Sequence, residues 1–113
     1  RKLRNGEIIG SAGDSATAWR LEKWYERMGD EKDFPDPDGK AKMLVLQKDG
    51  RVLLFDGGPF PDIMESDYTA VGSGQDFAVG AMAFGASPRQ AVEIACVHNT
   101  YCGLGVDVLS LDD

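Results

Sequence analysis

The sequence has few of the residues that specialised protein classes depend on. It contains two cysteines and one histidine in 113 residues. Two thiols do not form a disulfide framework in a chain of ordinary hydrophobic content, so a reduced, cytoplasmic setting is predicted. Cys96, His98 and Cys102 lack the close pair spacing and the number of ligands that a structural zinc site needs. A thiolate metal centre is therefore disfavoured.

Long apolar runs and an excess of positive charge are also missing. The longest apolar runs, Met43 to Leu46 and Val52 to Phe55, are too short to cross a bilayer. Lys and Arg total 12 against 19 Asp and Glu, a net charge of -7, which argues against binding to a phosphate backbone. We therefore expect neither a membrane nor a nucleic acid as partner. No cofactor is expected, since Gly72-Ser73-Gly74 lacks the lysine and spacing of a phosphate-binding loop.

The composition itself is that of a globular protein. Hydrophobic residues make up 42% and charged residues 27%, and the length suits one domain over residues 1–113. Because the chain begins at Arg1 without an initiator Met, we expect a processed product or a fragment.

The first half predicts a hairpin, a helix and a second hairpin. Asn5-Gly6 and Asp49-Gly50 each separate two strand-like segments and favour tight type I′ turns. An amphipathic helix is predicted from Asp14 or Ser15 to about Met28, with Gly29 ending it. Nearly continuous apolar strands in the second hairpin indicate cover on both faces.

The second half predicts a strand at Tyr68 to Val71, two helices and a final strand at Val106 to Leu111. Ser87-Pro88-Arg89-Gln90 has a capping Ser, Pro at the first helical position and Gln three residues after the cap. The predicted apolar faces of the two helices are Phe77, Gly80, Ala81 and Phe84, then Ala91, Ile94, Ala95 and His98. Blocks of strands and helices favour a layered α+β architecture.

Two glycine-rich junctions connect strands to helices. Gly10-Ser11-Ala12-Gly13-Asp14 could direct backbone N–H groups at an oxyanion, although such glycines usually serve the turn alone. Ser73 would most simply cap the helix that follows it. His98, without a carboxylate at a recognisable position, is more typical of a core or helix-end residue than of a catalytic triad.

Taken in order, these segments resemble the proteasome β-subunit and bacterial HslV peptidase family. The resemblance covers Arg1-Lys2-Leu3, the segment Ile8 to Asp14 with its helix, the hairpin ending at Asp56-Gly57-Gly58, and Ala70 to Gly74 with two helices. It is nearest to the small HslV-like proteins of phages or bacteria.

The resemblance implies a four-layer αββα sandwich of Ntn-hydrolase type that lacks its first strands. Family members hydrolyse peptide bonds with an N-terminal threonine whose own α-amine serves as base. In this sequence Gly10 corresponds to the oxyanion-hole glycine and Ser73 to a serine that supports the N-terminus. Asn99 corresponds loosely to the loop holding that N-terminus, and Thr100 to a monovalent-cation loop.

Family members also use a lysine on the basic strand, and Lys2 is out of register with it. Because the N-terminal threonine is absent as well, two hypotheses follow. The chain is either part of a threonine peptidase or a non-catalytic structural or assembly protein of the same fold. The resemblance implies a homo-oligomer, as a ring or dimer, a peptide substrate and a possible ATP-dependent unfoldase. Without the family's N-terminal hairpin, a free monomer would expose strand edges and apolar faces, and we expect it to aggregate, to swap strands with a partner or to need the missing segment.

Overall fold

The computed structural model describes residues 1–98 and 106–112, and these form an α+β structure with four antiparallel strands and three α-helices. The sheet order is β1-β2-β3-β4. The elements are β1 (Ile8–Gly13), α1 (Ser15–Glu26), a short 3-10 helix (Glu31–Asp33), β2 (Ala41–Leu46), β3 (Val52–Asp56), β4 (Asp62–Met64), α2 (Gln75–Ala83) and α3 (Pro88–His98).

The chain divides into two compact units. Unit 1 comprises Arg1–Glu65 with the C-terminal stretch from Leu109, and unit 2 comprises Ser66–Val108. Unit 1 therefore holds the sheet and α1, and unit 2 holds α2 and α3. The expectation of a single domain stays a prediction.

Unit 1 has its core between α1 and one face of the sheet. The buried strand residues alternate with half-buried ones, so that Met43, Val45 and Phe55 face the core. Leu21 and Trp24 of α1 pack on this face. Trp24 makes edge-to-face contacts with Phe34 at 5.1 Å and with Phe55 at 5.7 Å between ring centroids.

The opposite sheet face is only half-buried, contrary to the prediction of cover on both faces. Leu44, Leu46, Val52 and Leu54 all retain partial exposure. A run of consecutive apolar residues in these strands therefore does not indicate two fully buried faces.

The two hairpin loops of unit 1 share one geometry. In the first, Leu3 N–H donates to Glu7 O at 2.8 Å and Gly6 N–H to Leu3 O at 2.9 Å. Gln47, Gly50 and Arg51 repeat both bonds in the second, and both glycines have φ of 90°. Each loop thus has three residues and one left-handed glycine, whereas the predicted type I′ turn would need positive φ at two residues. The first hairpin arm forms only the single bridge between Lys2 and Ile8.

Helix α1 begins as predicted and ends differently. Asp14 caps it, with Oδ2 accepting from Thr17 N–H at 3.0 Å. At the C-terminus Met28, not Gly29, takes the left-handed conformation with φ of 56°. Gly29 is needed because a Cβ there would collide with the Trp24 indole. Met28, the predicted last residue of the helix, lies beyond its end at Glu26 and is 90% exposed.

Unit 2 packs α2 against α3 through small side chains. Its core cluster consists of Ala78, Met82, Ala91 and Ala95. The predicted apolar faces were wrong in part, since Phe77, Phe84, Ile94 and His98 are exposed. Alanines let the helix backbones approach closely, and this leaves the longer side chains outside the contact.

The capping box at α3 is confirmed. Ser87 Oγ accepts from Gln90 N–H at 3.2 Å, and Gln90 Oε1 accepts from Ser87 N–H at 2.9 Å. Pro88 is the first helical residue, where its missing N–H costs no helix hydrogen bond.

Two predicted strands do not form, and one unpredicted strand does. Tyr68 to Val71 and Val106 to Ser110 are irregular, because neither segment has a ladder partner in the described residues. Asp62–Met64 pairs with β3 as an edge strand. Pro61 directly precedes it, where the lack of an N–H breaks no ladder bond.

Candidate functional site

The strand β1 carries the predicted oxyanion-hole residue. Gly10 is exposed, pairs with Leu44 of β2, and has a backbone conformation open to any residue. No heavy atom lies within 4 Å of the position that a Cβ would take there. The space above Gly10 is therefore open to a ligand or another chain segment.

The hydrogen-bond pattern of β1 decides which amides reach its outer edge. Ile9 N–H donates to Arg1 O at 2.8 Å, away from β2, whereas Asp14 N–H donates to Lys40 O at 3.0 Å, toward β2. Because directions alternate along an antiparallel strand, Gly10 N–H faces β2 and Ser11 N–H faces the outer edge. The amides that this edge offers to a ligand belong to Ser11 and Gly13, and the oxyanion role of Gly10 stays a prediction.

An ionic network fixes the side chain of Ser11 on the α1 side of the strand. Ser11 Oγ donates to Glu22, which also binds Arg1 Nε at 3.3 Å. Arg1 Nη2 lies 3.2 Å from Glu26 Oε2, and this hydrogen bond lowers the pKa of Glu26 and raises that of Arg1. The Ser11 hydroxyl is thus committed to a carboxylate, while its amide remains on the edge.

The turn after β1 places a carboxylate of the chain at the α1 N-terminus. Gly13 has φ of 110°, and a Cβ would lie 2.5 Å from Lys40 O, so glycine is required there. Asp14 then accepts from the Thr17 N–H, and the hydrogen bonds from Thr17 lower the pKa of Asp14. A carboxylate of the chain itself already holds the positive end of the helix.

Ser73, the second predicted site residue, lies in the turn before α2. Gly74 rather than Ser73 occupies the cap position, and no side chain caps this helix. Ser73 is exposed, and its hydroxyl makes no hydrogen bond within residues 1–98 and 106–112. The supporting role of Ser73 stays a prediction.

The remaining predicted residues are near the end of α3. Asn99 and Thr100 lie outside the described residues. His98 is exposed and stacks on Phe77, with ring centroids 5.7 Å apart and planes 22° from parallel. This geometry is that of a packed helix-end residue, as the sequence suggested.

The predicted residues do not form one described cluster. Gly10 belongs to unit 1 and Ser73 to unit 2. Within the described ranges no group of three His, Cys, Asp or Glu residues could hold a metal ion. None of the helices described is both long and apolar enough to cross a membrane.

Comparison with known proteins adds no relative. No protein-family model matches the chain, and no curated protein sequence matches it significantly.

Sequence reasoning missed the outward amide of Ser11 and a polar cluster of Glu7, Tyr25 and Gln47. The cluster follows from the strand register, which the structure supplies. Continuing the β1–β2 register by one residue beyond Ile8 and Leu46 places Glu7 opposite Gln47, and helical periodicity places Tyr25 on the sheet side of α1.

Proposed function

We propose that this chain is part of a threonine-type peptidase subunit of the proteasome and HslV kind. The nucleophilic N-terminal threonine would lie outside this chain, and the complete fold would be the four-layer αββα sandwich. The observation that carries the proposal is the arrangement of Ile8 to Asp14. This segment is a strand whose outer edge is paired with Arg1 at Ile9 and unpaired from Ser11 onward within the described residues, and it turns at a required glycine into a capped helix.

In this proposal the chain positions the peptide substrate and stabilises the negative charge of the oxyanion. An extended peptide could pair with the outer edge of β1, where its backbone would meet Ser11 N–H. A backbone amide beside the scissile carbonyl stabilises the oxyanion of the tetrahedral intermediate. The open space above Gly10 leaves room for the nucleophile's residue. The supporting role of Ser73 is proposed from the resemblance alone.

The proposed partners follow the same assignment. The subunit would assemble as a homo-oligomeric ring or dimer in the cytoplasm, act on peptides and receive substrates from an ATP-dependent unfoldase. These proposals rest on the resemblance of the segments.

A non-catalytic assembly protein is the second candidate, favoured by the surface of unit 2. Phe84 is 97% exposed and Val97 78% exposed. Large exposed apolar side chains on helices are typical of surfaces that bury themselves against another chain. This candidate needs no nucleophile.

One experiment separates the two candidates. The natively expressed protein is examined by intact mass and N-terminal sequencing, then treated with a threonine-directed β-lactone. A longer product that begins with Thr and is labelled at that residue supports the peptidase. A native product with no N-terminal Thr, Ser or Cys and no label overturns the peptidase and leaves the assembly protein.

The catalytic contribution of β1 has its own test in that product. Gly10→Ala should lower peptide hydrolysis while leaving the fold intact, because the added methyl meets only open space. Ser15→Ala, on the exposed first turn of α1, serves as the matched control. Unchanged hydrolysis in Gly10→Ala would remove Gly10 from the site.

A further inference from the structure

Unit 1 contains a cleft of about 870 Å³ that the proposed peptidase site does not use. It lies between the first hairpin loop and the C-terminal end of α1. Leu3, Trp24 and Phe55 form its apolar wall, and Glu7, Tyr25 and Gln47 form its polar wall. The volume and mixed lining match those of small-ligand pockets, whereas Gly10 and Ser73 do not line it.

Two of the three polar residues are hydrogen-bonded to each other. Tyr25 Oη lies 3.0 Å from both carboxylate oxygens of Glu7 and donates to them. Gln47 lines the same wall of the cleft. Burial, followed by the bond to Glu7, raises the pKa of Tyr25, so the phenol keeps its proton at neutral pH.

This arrangement leaves one acceptor without a donor. Gln47 Oε1 is buried and has no hydrogen-bond partner, alone among the buried side-chain polar atoms of the described chain. A buried acceptor that lacks a donor has lost its hydration without compensation. Since Gln47 lines the cleft, a ligand bearing N–H donors could supply the missing bond after a small rotation of the amide.

The charge beside this acceptor is negative. The Glu7 carboxylate accepts from Tyr25 and from Asn5 Nδ2 at 2.7 Å, which leaves part of its acceptor capacity unused. Glu26 also lines the cleft, but its carboxylate is bound by Arg1 and Lys23. Arg4, exposed on the rim, is the one cation among the lining residues.

We propose that this cleft binds a primary ammonium group carried on an apolar body. The ammonium lies between Glu7 and Gln47, which provide a carboxylate and an amide oxygen, and the body lies against Trp24 and Phe55. An ammonium has three donors and no acceptor, so it matches a wall of two acceptors. A peptide α-amine, a lysine side chain and a small organic amine share this chemistry. The site goes beyond the proposed peptidase function and does not depend on it.

Binding is measured by NMR on the full chain with phenethylamine and its N-acetyl derivative as matched probes. The chain has two tryptophans, and the indole N–H signal of each reports on binding near it. Trp24 lines the cleft and donates its indole N–H to Asp30 O at 2.9 Å, whereas Trp19 is exposed outside the cleft. We expect saturable shifts of the Trp24 indole signal with the amine alone, and none at Trp19. Equal binding of the acetylated probe, or no shift at Trp24, overturns the proposal.

A second probe pair distinguishes the natural sources. Two leucine-rich tripeptides are compared. The first has a free α-amine and no lysine, and the second is acetylated at its N-terminus and contains one lysine. Tighter binding of the first assigns the site to peptide α-amines, and tighter binding of the second to lysine side chains. Failure of both, with phenethylamine bound, assigns it to small amines.

Variants test the two acceptors separately. Glu7→Gln and Gln47→Met should each weaken phenethylamine binding about tenfold, the scale of one charge-assisted hydrogen bond. Glu26→Gln removes the same charge from the same cleft, yet should change affinity less than twofold because that carboxylate is already bound. Arg4→Gln should tighten binding by removing a like charge. Thermal melts establish that each variant is folded, and equal effects of Glu7→Gln and Glu26→Gln would overturn the assignment.

Discussion

The two units of this chain solve the packing problem in different ways. Unit 1 buries Leu21, Trp24, Met43 and Phe55 between a helix and a sheet. Unit 2 buries three alanines and Met82 between two helices and leaves Phe84 in solvent. A sheet offers a broad surface on which large rings can lie, whereas two close helices exclude them.

This difference in packing affects both the stability of each unit and the number of apolar side chains that it exposes. Burial of apolar area contributes roughly 25 cal/mol per Å², so the large side chains of unit 1 contribute most of the hydrophobic free energy of folding. Among the described residues, the core of unit 2 consists of smaller side chains, and large apolar side chains such as Phe84 are exposed. We therefore expect the described core of unit 1 to contribute more to stability than that of unit 2.

The largest effect is expected from truncating the aromatic core of unit 1. Phe55→Ala removes the ring that contacts both Trp24 and Tyr25 and should lower the free energy of unfolding by about 3–5 kcal/mol. Phe84→Ala, the same change in unit 2, should stay within about 0.5 kcal/mol. Urea unfolding of both variants checks the contrast, and equal losses would show that the two units do not differ in this way.

The next largest loss of stability is expected in the turn between β1 and α1. Gly13→Ala forces a methyl against Lys40 O in a backbone region disfavoured for alanine, and should cost roughly 1–3 kcal/mol. Gly10→Ala, three residues earlier, has open space and should be within about 0.5 kcal/mol. Thermal unfolding measures both. A neutral Gly13→Ala would mean that the turn adopts another conformation.

A smaller effect is expected in unit 2 at its helix start. Ser87→Ala removes the acceptor for Gln90 N–H and should destabilise α3 by about 1 kcal/mol. Ser73→Ala is the control, because that hydroxyl makes no bond in the described chain and its loss should be nearly neutral. Hydrogen exchange of α3 amides locates the change, which should not reach unit 1.

The smallest effect is a pH dependence at the α1 cap. The pKa of Asp14 is lower in the folded state because Thr17 donates two hydrogen bonds to its carboxylate. Its stabilising contribution is therefore present above the unfolded-state pKa and is lost as pH falls through the folded one. Below about pH 4 the wild-type chain should lose stability that Asp14→Asn does not lose. Melts at pH 7 and pH 3 compare them, and parallel losses would assign the effect elsewhere.

Local sequence chemistry predicted the starts of α1 and α3 and the positions of the two hairpins, but not the cap of α2. Asp14 and the Ser87–Gln90 box act through bonds within a few residues, so their outcome depends little on the rest of the fold. The prediction of strands at Tyr68 to Val71 and Val106 to Leu111 was wrong. A strand requires a partner strand, and the alternation of apolar and polar residues does not show whether one is present.

The site was harder to predict than the fold. Gly10 was identified from its neighbours in sequence, but the direction of its N–H depends on the ladder with β2. The cluster of Glu7, Tyr25 and Gln47 depends on register between distant segments and on a helix laid across them. Interactions of this kind are tertiary, so no local pattern in the sequence contains them.

The short strand β4 has a consequence for aggregation. It has three residues, follows Pro61 and begins with Asp62, three features by which natural sheets discourage pairing with other chains. The opposite edge, β1, is twice as long, but Arg1 pairs with Ile9 through two backbone hydrogen bonds and covers the start of that edge. A foreign strand is therefore expected to add at the Ser11–Gly13 part of β1 rather than at β4, and a charged residue introduced there should oppose that addition.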